Sequence, residues 1–289
     1  MNPDLERRYR WLLRAYPAAY RTDHEREILS TLAEVSREGQ RWPDAREARA
    51  LVTAGMRSRV LAAGGGSARG LALDGLHLGA ALLVAGNAVG AVFAAYSGNS
   101  DGWHVALGLA WVVAFAALVR GGRVLPATAA VSAAALAVGL NYEGLAAQPV
   151  QWFAWATVVA GSLLPAGLIA VLAWRHALPG RSPLLLLVPA LPYALAMGIV
   201  VSPFFLTTTL FVMLVAVSAF ALLALPVDPR PAIAVAVFLV PTVALMITGA
   251  AQNVMLWVEP SWMWPSVWAL TCVTLAVSGV CATRRVARV

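Results

Sequence analysis

The chain has 289 residues, of which 60% are hydrophobic and only 12% are charged. Soluble domains carry about 25% charged residues, so an ordinary soluble enzyme or binding domain is excluded for most of this chain. The net charge of +7 comes from 21 arginines without any lysine. Because these arginines follow the pattern of membrane-protein loops, described below, no direct binding of nucleic acid is expected.

Residues 1–62 are rich in charge and predict a cytoplasmic domain of three amphipathic helices. The first helix is predicted from Pro3, which suits the first helical position, to about Tyr16. Its apolar residues form one stripe, and four arginines fall largely on the sides and back of the helix. These arginines are Arg7, Arg8, Arg10 and Arg14. They are candidates for a face that binds a protein partner, and equally for a face that lies on anionic lipid.

Start signals for two further helices follow in the same region. Thr22 and Glu25 have the spacing of a capping box and predict the beginning of the second helix. Pro43 can open the third helix, because proline is tolerated in the first helical turn. The Gly-Gly-Gly-Ser run that comes next makes a flexible joint, so a linker is predicted over residues 63–73.

The first 60 residues resemble a known type of bacterial domain. The residues that support the resemblance are LLRAYP at 12–17, YR at 20–21 and EIL at 27–29. This pattern is similar to the cytoplasmic prefix domain that precedes the membrane segments of some bacterial permeases, above all in actinobacterial membrane proteins encoded beside PadR-type or sigma-type regulators. The resemblance implies a docking or signalling domain attached to a membrane unit, and it implies no catalytic residue.

Eight apolar segments after the linker predict an eight-helix transmembrane domain over residues 74–289. They cover residues 74–96, 103–119, 124–141, 150–174, 182–201, 203–225, 231–250 and 263–282. About 20 apolar residues suffice to cross a bilayer. The stretch 182–225 contains no charged residue, and as a single helix it would be about 66 Å long. It is therefore predicted to turn near Ser202 and Pro203 and cross twice.

The loops between these segments alternate in charge, which predicts an orientation. Arginines occupy every second loop and the C-terminal tail: Arg120, Arg123, Arg175, Arg181, Arg230, Arg284, Arg285 and Arg288. The other loops hold Asp101, Glu143 and Glu259. Because positive loops stay in the cytoplasm, both termini are predicted to be cytoplasmic, in the cell inner membrane. Trp174 beside Arg175 marks the cytoplasmic end of its helix, since tryptophan prefers the membrane interface.

Two groups of polar and small residues in the first membrane helix are candidate sites. Asn87 lies among small residues that include Gly86 and Gly90, which suits either close helix packing with an amide hydrogen bond or contact with a polar ligand. Asp74 and His77 are three residues apart near the cytoplasmic boundary. They could form a protonation switch, or they could simply be solvated among the lipid headgroups.

Prolines inside the predicted membrane helices suggest a further possibility. Pro189, Pro192 and Pro241 each remove a backbone donor, which either kinks a helix for packing or breaks it at a transport site. A transporter or permease subunit for a small or lipophilic substrate is therefore the alternative function. Against an ion-coupled carrier, no Asp, Glu, Arg or Lys lies at the middle depth of a predicted helix.

The sequence contains no recognisable catalytic pattern. It lacks the P-loop lysine, an HExxH metal motif and a GxSxG nucleophile elbow. We therefore predict an all-α, non-enzymatic membrane protein without a cofactor or metal. Its cytoplasmic domain is predicted to dock a transcriptional regulator or transporter ATPase, while the bundle, surrounded by membrane lipids, anchors that domain or senses a ligand. The oligomeric state is not predicted.

Overall fold

The computed structural model describes residues 2–37, 39–63, 67–96, 102–147, 159–176, 178–180, 182–184, 186–187, 215–251 and 263–287. Throughout these residues the regular structure is helical, and no strand occurs among them. The predicted all-α class is therefore confirmed.

Three helices form the N-terminal domain: α1 (Pro3–Leu13), α2 (Ala18–Val35) and α3 (Ala45–Ala63). Helix α1 contacts both of the others and buries its apolar stripe between them. The core of the domain consists of Leu5, Tyr9, Leu13, Tyr16 and Leu29. Each large apolar side chain buried in this way contributes about 1.5–3 kcal/mol of transfer free energy, so a few of them can hold a domain of this size.

Pro17 determines where the first helix ends and the second begins. Helix α1 starts at Pro3 as predicted but ends at Leu13, and the next residues are held by tighter i to i−3 hydrogen bonds. The carbonyl of Pro17 accepts the backbone N–H of Arg21 at 3.1 Å, so α2 begins directly after the proline. The capping box predicted at Thr22 is therefore wrong. Its hydroxyl lies within α2 and donates to the carbonyl one turn earlier.

Asp44, rather than Pro43, provides the start signal of the third helix, as the capping residue just before it. The Asp44 carboxylate accepts the backbone N–H of Arg46 at 2.7 Å, and its carbonyl accepts that of Ala48 at 2.8 Å. An aspartate here satisfies helix donors that would otherwise lack a partner, whereas a proline offers no side-chain acceptor. The helix accordingly starts two residues later than predicted, at Ala45.

The helices that follow are α4 (Ala68–Tyr96), α5 (Gly102–Arg120), α6 (Val124–Ala147), α7 (Leu164–Arg175), α8 (Arg230–Ala251) and α9 (Met263–Val286). A π-helical turn, Val159–Leu163, leads directly into α7. Helix α4 is central, since it contacts α5, α7, α8 and α9, while α6 packs between α5 and α7. The first turns of α4 cover residues 68–73, where the sequence predicts part of the linker.

Small residues fill the space around α4. On one side, α4 to α7 enclose a cluster with many alanines: Ala80, Ala81, Ala85, Ala114, Ala130, Ala133 and Ala166. On the other side, α4 packs on α8 through two glycines. A methyl group added at Gly79 would lie 2.7 Å from the Cβ of Val237, and one added at Gly75 would lie 2.9 Å from the Cβ of Ile233. These positions require glycine because the two backbones come so close together.

One end of the bundle collects the helix ends that bear arginine, and we call it the arginine end. The beginning of α4 meets the beginning of α8 there, through Asp74 and Arg230. The loop between α5 and α6 pairs with the segment after α7 by two hydrogen bonds of 2.9 Å between Gly122 and Leu178. Gly121 in this loop has a φ of +78°, a conformation that favours glycine.

Length and hydropathy identify two of the described helical stretches as able to cross a membrane: Ala68–Gly90 and Ser266–Val286. The other apolar helices are shorter by this measure. The predicted turn near Ser202 and Pro203 lies outside the described residues, as does most of the predicted pair of crossings around it. The number of eight crossings therefore stays a prediction.

Candidate functional site

The arginines of α1 do not share one environment. Arg8 is turned towards the loop before α3, where its guanidinium carbon lies 3.2 Å from the centre of the Trp42 ring. This cation–π contact ties α1 to the loop. Arg10 pairs with Glu6 at 2.6 Å and lies 3.9 Å from Glu25 on α2. Both arginines thus contribute contacts within the N-terminal domain.

Arg7, Trp11 and Arg14 form a second, outward-facing group, which we call the α1 outer face. Their spacing of four and three residues places them on one side of the helix, opposite the buried stripe. The Arg7 side chain is 81% exposed and has a surface ion pair of 3.4 Å with Asp4. Trp11 is 66% exposed and Arg14 is also exposed. Trp11 is not among the residues predicted for the partner face, although its spacing from Arg7 and Arg14 is the signal that identifies it.

Tyr9 connects α1 to α3 inside the domain. Its hydroxyl donates to the Glu47 carboxylate at 2.7 Å, and its ring is buried. Burial raises the pKa of Tyr9 well above its usual value, and the hydrogen bond to Glu47 raises it further. The Tyr9 hydroxyl therefore stays protonated at neutral pH and well into the alkaline range.

The N-terminal domain is attached to the arginine end of the bundle by α3, and we call this contact the junction. Val60 of α3, Leu71 of α4 and Val286 of α9 form a small buried cluster. Nearby, the Arg57 guanidinium donates to the carbonyl of Pro226, just before α8, at 2.6 Å. The junction therefore joins the third helix to the ends of three bundle helices.

An ion network lies next to the junction. The Arg230 guanidinium pairs with Asp74 of α4 at 2.9 Å and with Asp228 at 2.8 Å. All three side chains are mostly buried, with 14–23% of their area exposed. The hydrogen bond from Arg230 to Asp228 raises the pKa of the Arg230 guanidinium. Arg230 is therefore a permanent cation that balances the two carboxylates. The alternation of loop charges predicts Arg230 in a loop, and no local pattern predicts its pairing with Asp74, because 156 residues separate the two.

His77, the other member of the predicted protonation switch, lies one turn along α4 from Asp74. Its ring is buried, with 2% exposed. The Asp74 carboxylate is directed to Arg230, in the contact just described. Whether the Asp74 and His77 pair switches with pH stays a prediction.

Asn87 forms a hydrogen bond between helices. Its side-chain amide donates to the carbonyl of Gly161 at 2.8 Å, within the π-helical turn before α7. In an α-helix this carbonyl would accept from residue 165, but Pro165 has no N–H to give. The amide of Asn87 gives this carbonyl a donor from another helix. This is the geometry that the helix-packing interpretation requires, and a ligand contact at Asn87 stays a prediction.

The remaining candidate positions are dispersed. Gly86 is buried in α4, and a methyl group at Gly90 would meet none of the described atoms within 4 Å. Pro241 lies inside α8, and Pro189 and Pro192 fall outside the described residues.

No metal site is formed in the parts of the chain that the structure describes. No group of three or more His, Cys, Asp or Glu side chains converges there. Asp74 and Asp228 both bind Arg230.

No protein-family model, curated protein or solved structure matches this chain.

Proposed function

We propose that this chain is a non-enzymatic, multi-pass protein of the cell inner membrane. Its N-terminal domain binds a cytoplasmic protein, a transcriptional regulator or a transporter ATPase, and its bundle anchors that domain or senses a lipid or small molecule. One observation supports this most directly. The domain is fixed to the bundle through α3, while the α1 outer face, with Arg7, Trp11 and Arg14, remains exposed to solvent.

The outer surface of the bundle supports the membrane location. Large apolar side chains are exposed along several helices, including Leu109, Val113, Leu223, Leu270, Val273 and Val277. A water-soluble protein seldom exposes apolar surface on this scale, whereas lipid covers it at no cost. The collection of arginine-bearing helix ends at one end of the bundle supports an orientation with that end, and both termini, in the cytoplasm.

The junction gives the bundle a means to influence the N-terminal domain. Helix α3 contacts α4 and α9 at Val60 and touches the turn before α8 through Arg57. A shift of α4 against α8 would have to rearrange the Arg230 network, and α3 would move with it. A ligand that binds the two arrangements of these helices with different affinity would change the position of the domain.

The α1 outer face has the chemistry of a protein-binding surface. Tryptophan and arginine dominate the energetic centres of protein interfaces, where an aromatic ring fills a pocket and charged groups select the partner. Arg7 and Arg14 on either side of Trp11 favour a partner surface with an apolar pocket and acidic residues around it. The partner is therefore expected to be an acidic protein surface.

The test is recovery of partners from native membranes with the full chain in a gentle detergent. A variant with Arg7→Glu, Trp11→Ala and Arg14→Glu is compared with the natural chain, and bound proteins are identified by mass spectrometry. We expect a regulator or an ATPase to be recovered with the natural chain and lost with the variant. Removal of an aromatic centre and two charges should weaken binding by at least 100-fold, about 2.7 kcal/mol.

A matched control changes two other exposed arginines, Arg46→Glu and Arg49→Glu, on α3. This control alters net charge in the same way and is expected to keep the partner. If the variant with Arg7→Glu, Trp11→Ala and Arg14→Glu recovers the same proteins as the natural chain, the proposed docking through the α1 outer face is wrong. The arginines would then be assigned to contact with anionic lipid.

A transporter or permease subunit is the second candidate function. The observation that favours it is the π-helical turn beside Pro165, because interrupted helices often line binding sites in membrane proteins. A carrier needs a hydrated cavity at the depth of this π-helical turn in the bundle. The Asn87 bond to Gly161 would lie in its wall.

A further inference from the structure

An open cavity of about 500 Å³ lies at the arginine end, between the beginning of α4 and the end of α7. It is lined by Ser67, Arg69, Gly70, Leu73, Trp174, Arg175 and His176. Two guanidinium groups and an imidazole ring, supplied by two separate parts of the chain, thus border one space. Among these lining residues there is no carboxylate. Within the described residues neither arginine forms an ion pair.

We propose that this cavity binds a phosphate-bearing anion. Arginine matches the oxygens of a phosphate with two parallel N–H donors, and two arginines can hold one phosphate from both sides. His176 offers a ring N–H in either neutral tautomer. Ser67 caps the start of α4, where its hydroxyl accepts the Gly70 N–H at 3.0 Å. The dipoles of the first peptide units of α4 add a weaker electrostatic attraction for an anion.

Backbone hydrogen bonds hold the part of the cavity wall that bears His176. His176 follows the last residue of α7 in an extended conformation, with its N–H bonded to the Leu172 carbonyl. Two residues later, Leu178 is paired with Gly122 by two hydrogen bonds. The segment that bears His176 is therefore fixed at both ends. A site arranged in advance loses less free energy when it orders around a ligand.

The apolar part of the lining indicates which phosphate compounds fit. Leu73 and Trp174 border the same space, and Trp174 is 89% exposed. Tryptophan prefers the level of the lipid headgroups, where one side of the ring meets hydrocarbon. A phospholipid headgroup satisfies both parts of the cavity, since its phosphate meets the arginines and its glycerol and acyl groups meet Leu73 and Trp174. A soluble phosphate compound shares only the first of these contacts.

The experiment measures lipid and phosphate binding to the purified full chain by native mass spectrometry in detergent. The probes are phosphatidylglycerol, phosphatidylcholine and inorganic phosphate. We expect phosphatidylglycerol to bind more tightly than phosphatidylcholine. The pair Arg69→Gln and Arg175→Gln should weaken this binding by about 25-fold, from roughly fivefold for each arginine.

A control pair, Arg284→Gln and Arg285→Gln, removes the same charge from the exposed last turn of α9, outside the cavity. It is expected to change binding by less than about twofold. A second pair, Arg69→Lys and Arg175→Lys, keeps the charge but loses the paired N–H donors, so it should bind more weakly than the natural chain and more tightly than the glutamine pair. It shows that any loss in the glutamine pair comes from charge rather than from unfolding.

The two sources of phosphate give different results. If phosphatidylglycerol binds and excess inorganic phosphate does not displace it, the ligand is a lipid headgroup. If inorganic phosphate binds, with the same loss in the glutamine pair, the ligand is soluble. Equal binding by the natural chain, the glutamine pair and the control pair would overturn the proposal. The result does not depend on partner docking, because the docking test changes only α1.

Discussion

The N-terminal domain and the helix bundle reach compact cores in opposite ways. The N-terminal core is made of large side chains such as Leu5, Tyr9 and Leu13, whereas the bundle core is made largely of alanines around α4. In water, burial of large apolar groups drives folding. Between helices surrounded by lipid that gain is lost, and close contact of small residues and hydrogen bonds replaces it. The two cores are therefore those expected for water around the N-terminal domain and for the proposed membrane around the bundle.

Polar contacts follow the same division. In the N-terminal domain they join side chains across helices, as between Tyr9 and Glu47. Within the bundle, the side-chain amide of Asn87 donates to the backbone carbonyl of Gly161, in the π-helical turn before α7. The ion network of Arg230 lies where the two regions meet, and it is bordered by both.

The largest effect is expected from the N-terminal core. Tyr9→Ala should lower the free energy of unfolding of this domain by about 4 kcal/mol, because it removes a buried ring and the hydrogen bond to Glu47. A domain of about 60 residues has little more stability than this. Hydrogen exchange of the full chain, followed by mass spectrometry, should show α1 to α3 unprotected while α4 to α9 keep their protection.

Trp11→Ala is the control for this prediction. It removes an aromatic ring from the same helix, but that ring is 66% exposed, and we expect a change within about 0.5 kcal/mol. Equal loss of protection in both variants would mean that the two rings are buried alike, and the comparison of the two cores would fail.

A smaller effect is expected from the contact between α4 and α8. Gly79→Ala should destabilise the bundle by about 1–3 kcal/mol, because the added methyl group would lie 2.7 Å from Val237 and 2.9 Å from the Ala234 carbonyl. Unfolding of the full chain in mixed micelles of increasing denaturing detergent measures the change.

Gly90→Ala tests the same substitution farther along α4. Its added methyl group would meet none of the described atoms within 4 Å, so replacing a helical glycine should stabilise the helix by about 0.5–1 kcal/mol. The two glycines should therefore change stability in opposite directions. A bundle that tolerates both substitutions equally would contradict the close packing at Gly79.

The smallest loss of stability, after those at Tyr9 and Gly79, is expected from Asn87. Asn87→Leu should cost about 1 kcal/mol in the same unfolding assay, because it leaves the Gly161 carbonyl without this donor. Thr128→Val is the control, since Thr128 is exposed and, among the described residues, its hydroxyl bonds only to carbonyls of its own helix. A loss for Asn87→Leu no larger than that for Thr128→Val would show that the bond between helices contributes nothing.

Much of the helical structure could be predicted from the sequence, because apolar periodicity and proline act locally. Helix α1 begins at Pro3 as predicted, and apolar runs predicted α4 to α9 in outline. The helix starts at Ala18 and Ala45 were missed by a few residues, since several residues near each could serve as the cap. Of the predicted arginine face, Arg8 proved to contact Trp42 within the domain.

The all-α class, the contrast between a charged N-terminal domain and an apolar remainder, and the positions of most helices can be read from the amino-acid sequence. These follow from composition and from spacings of three and four residues. The pairing of Arg230 with Asp74, the bond from Asn87 to Gly161, and the cavity bordered by Arg69 and Arg175 are visible only in the folded chain. In each of these three cases the two residues lie more than 70 positions apart in the sequence. Their meeting depends on how whole helices pack, which no local pattern records.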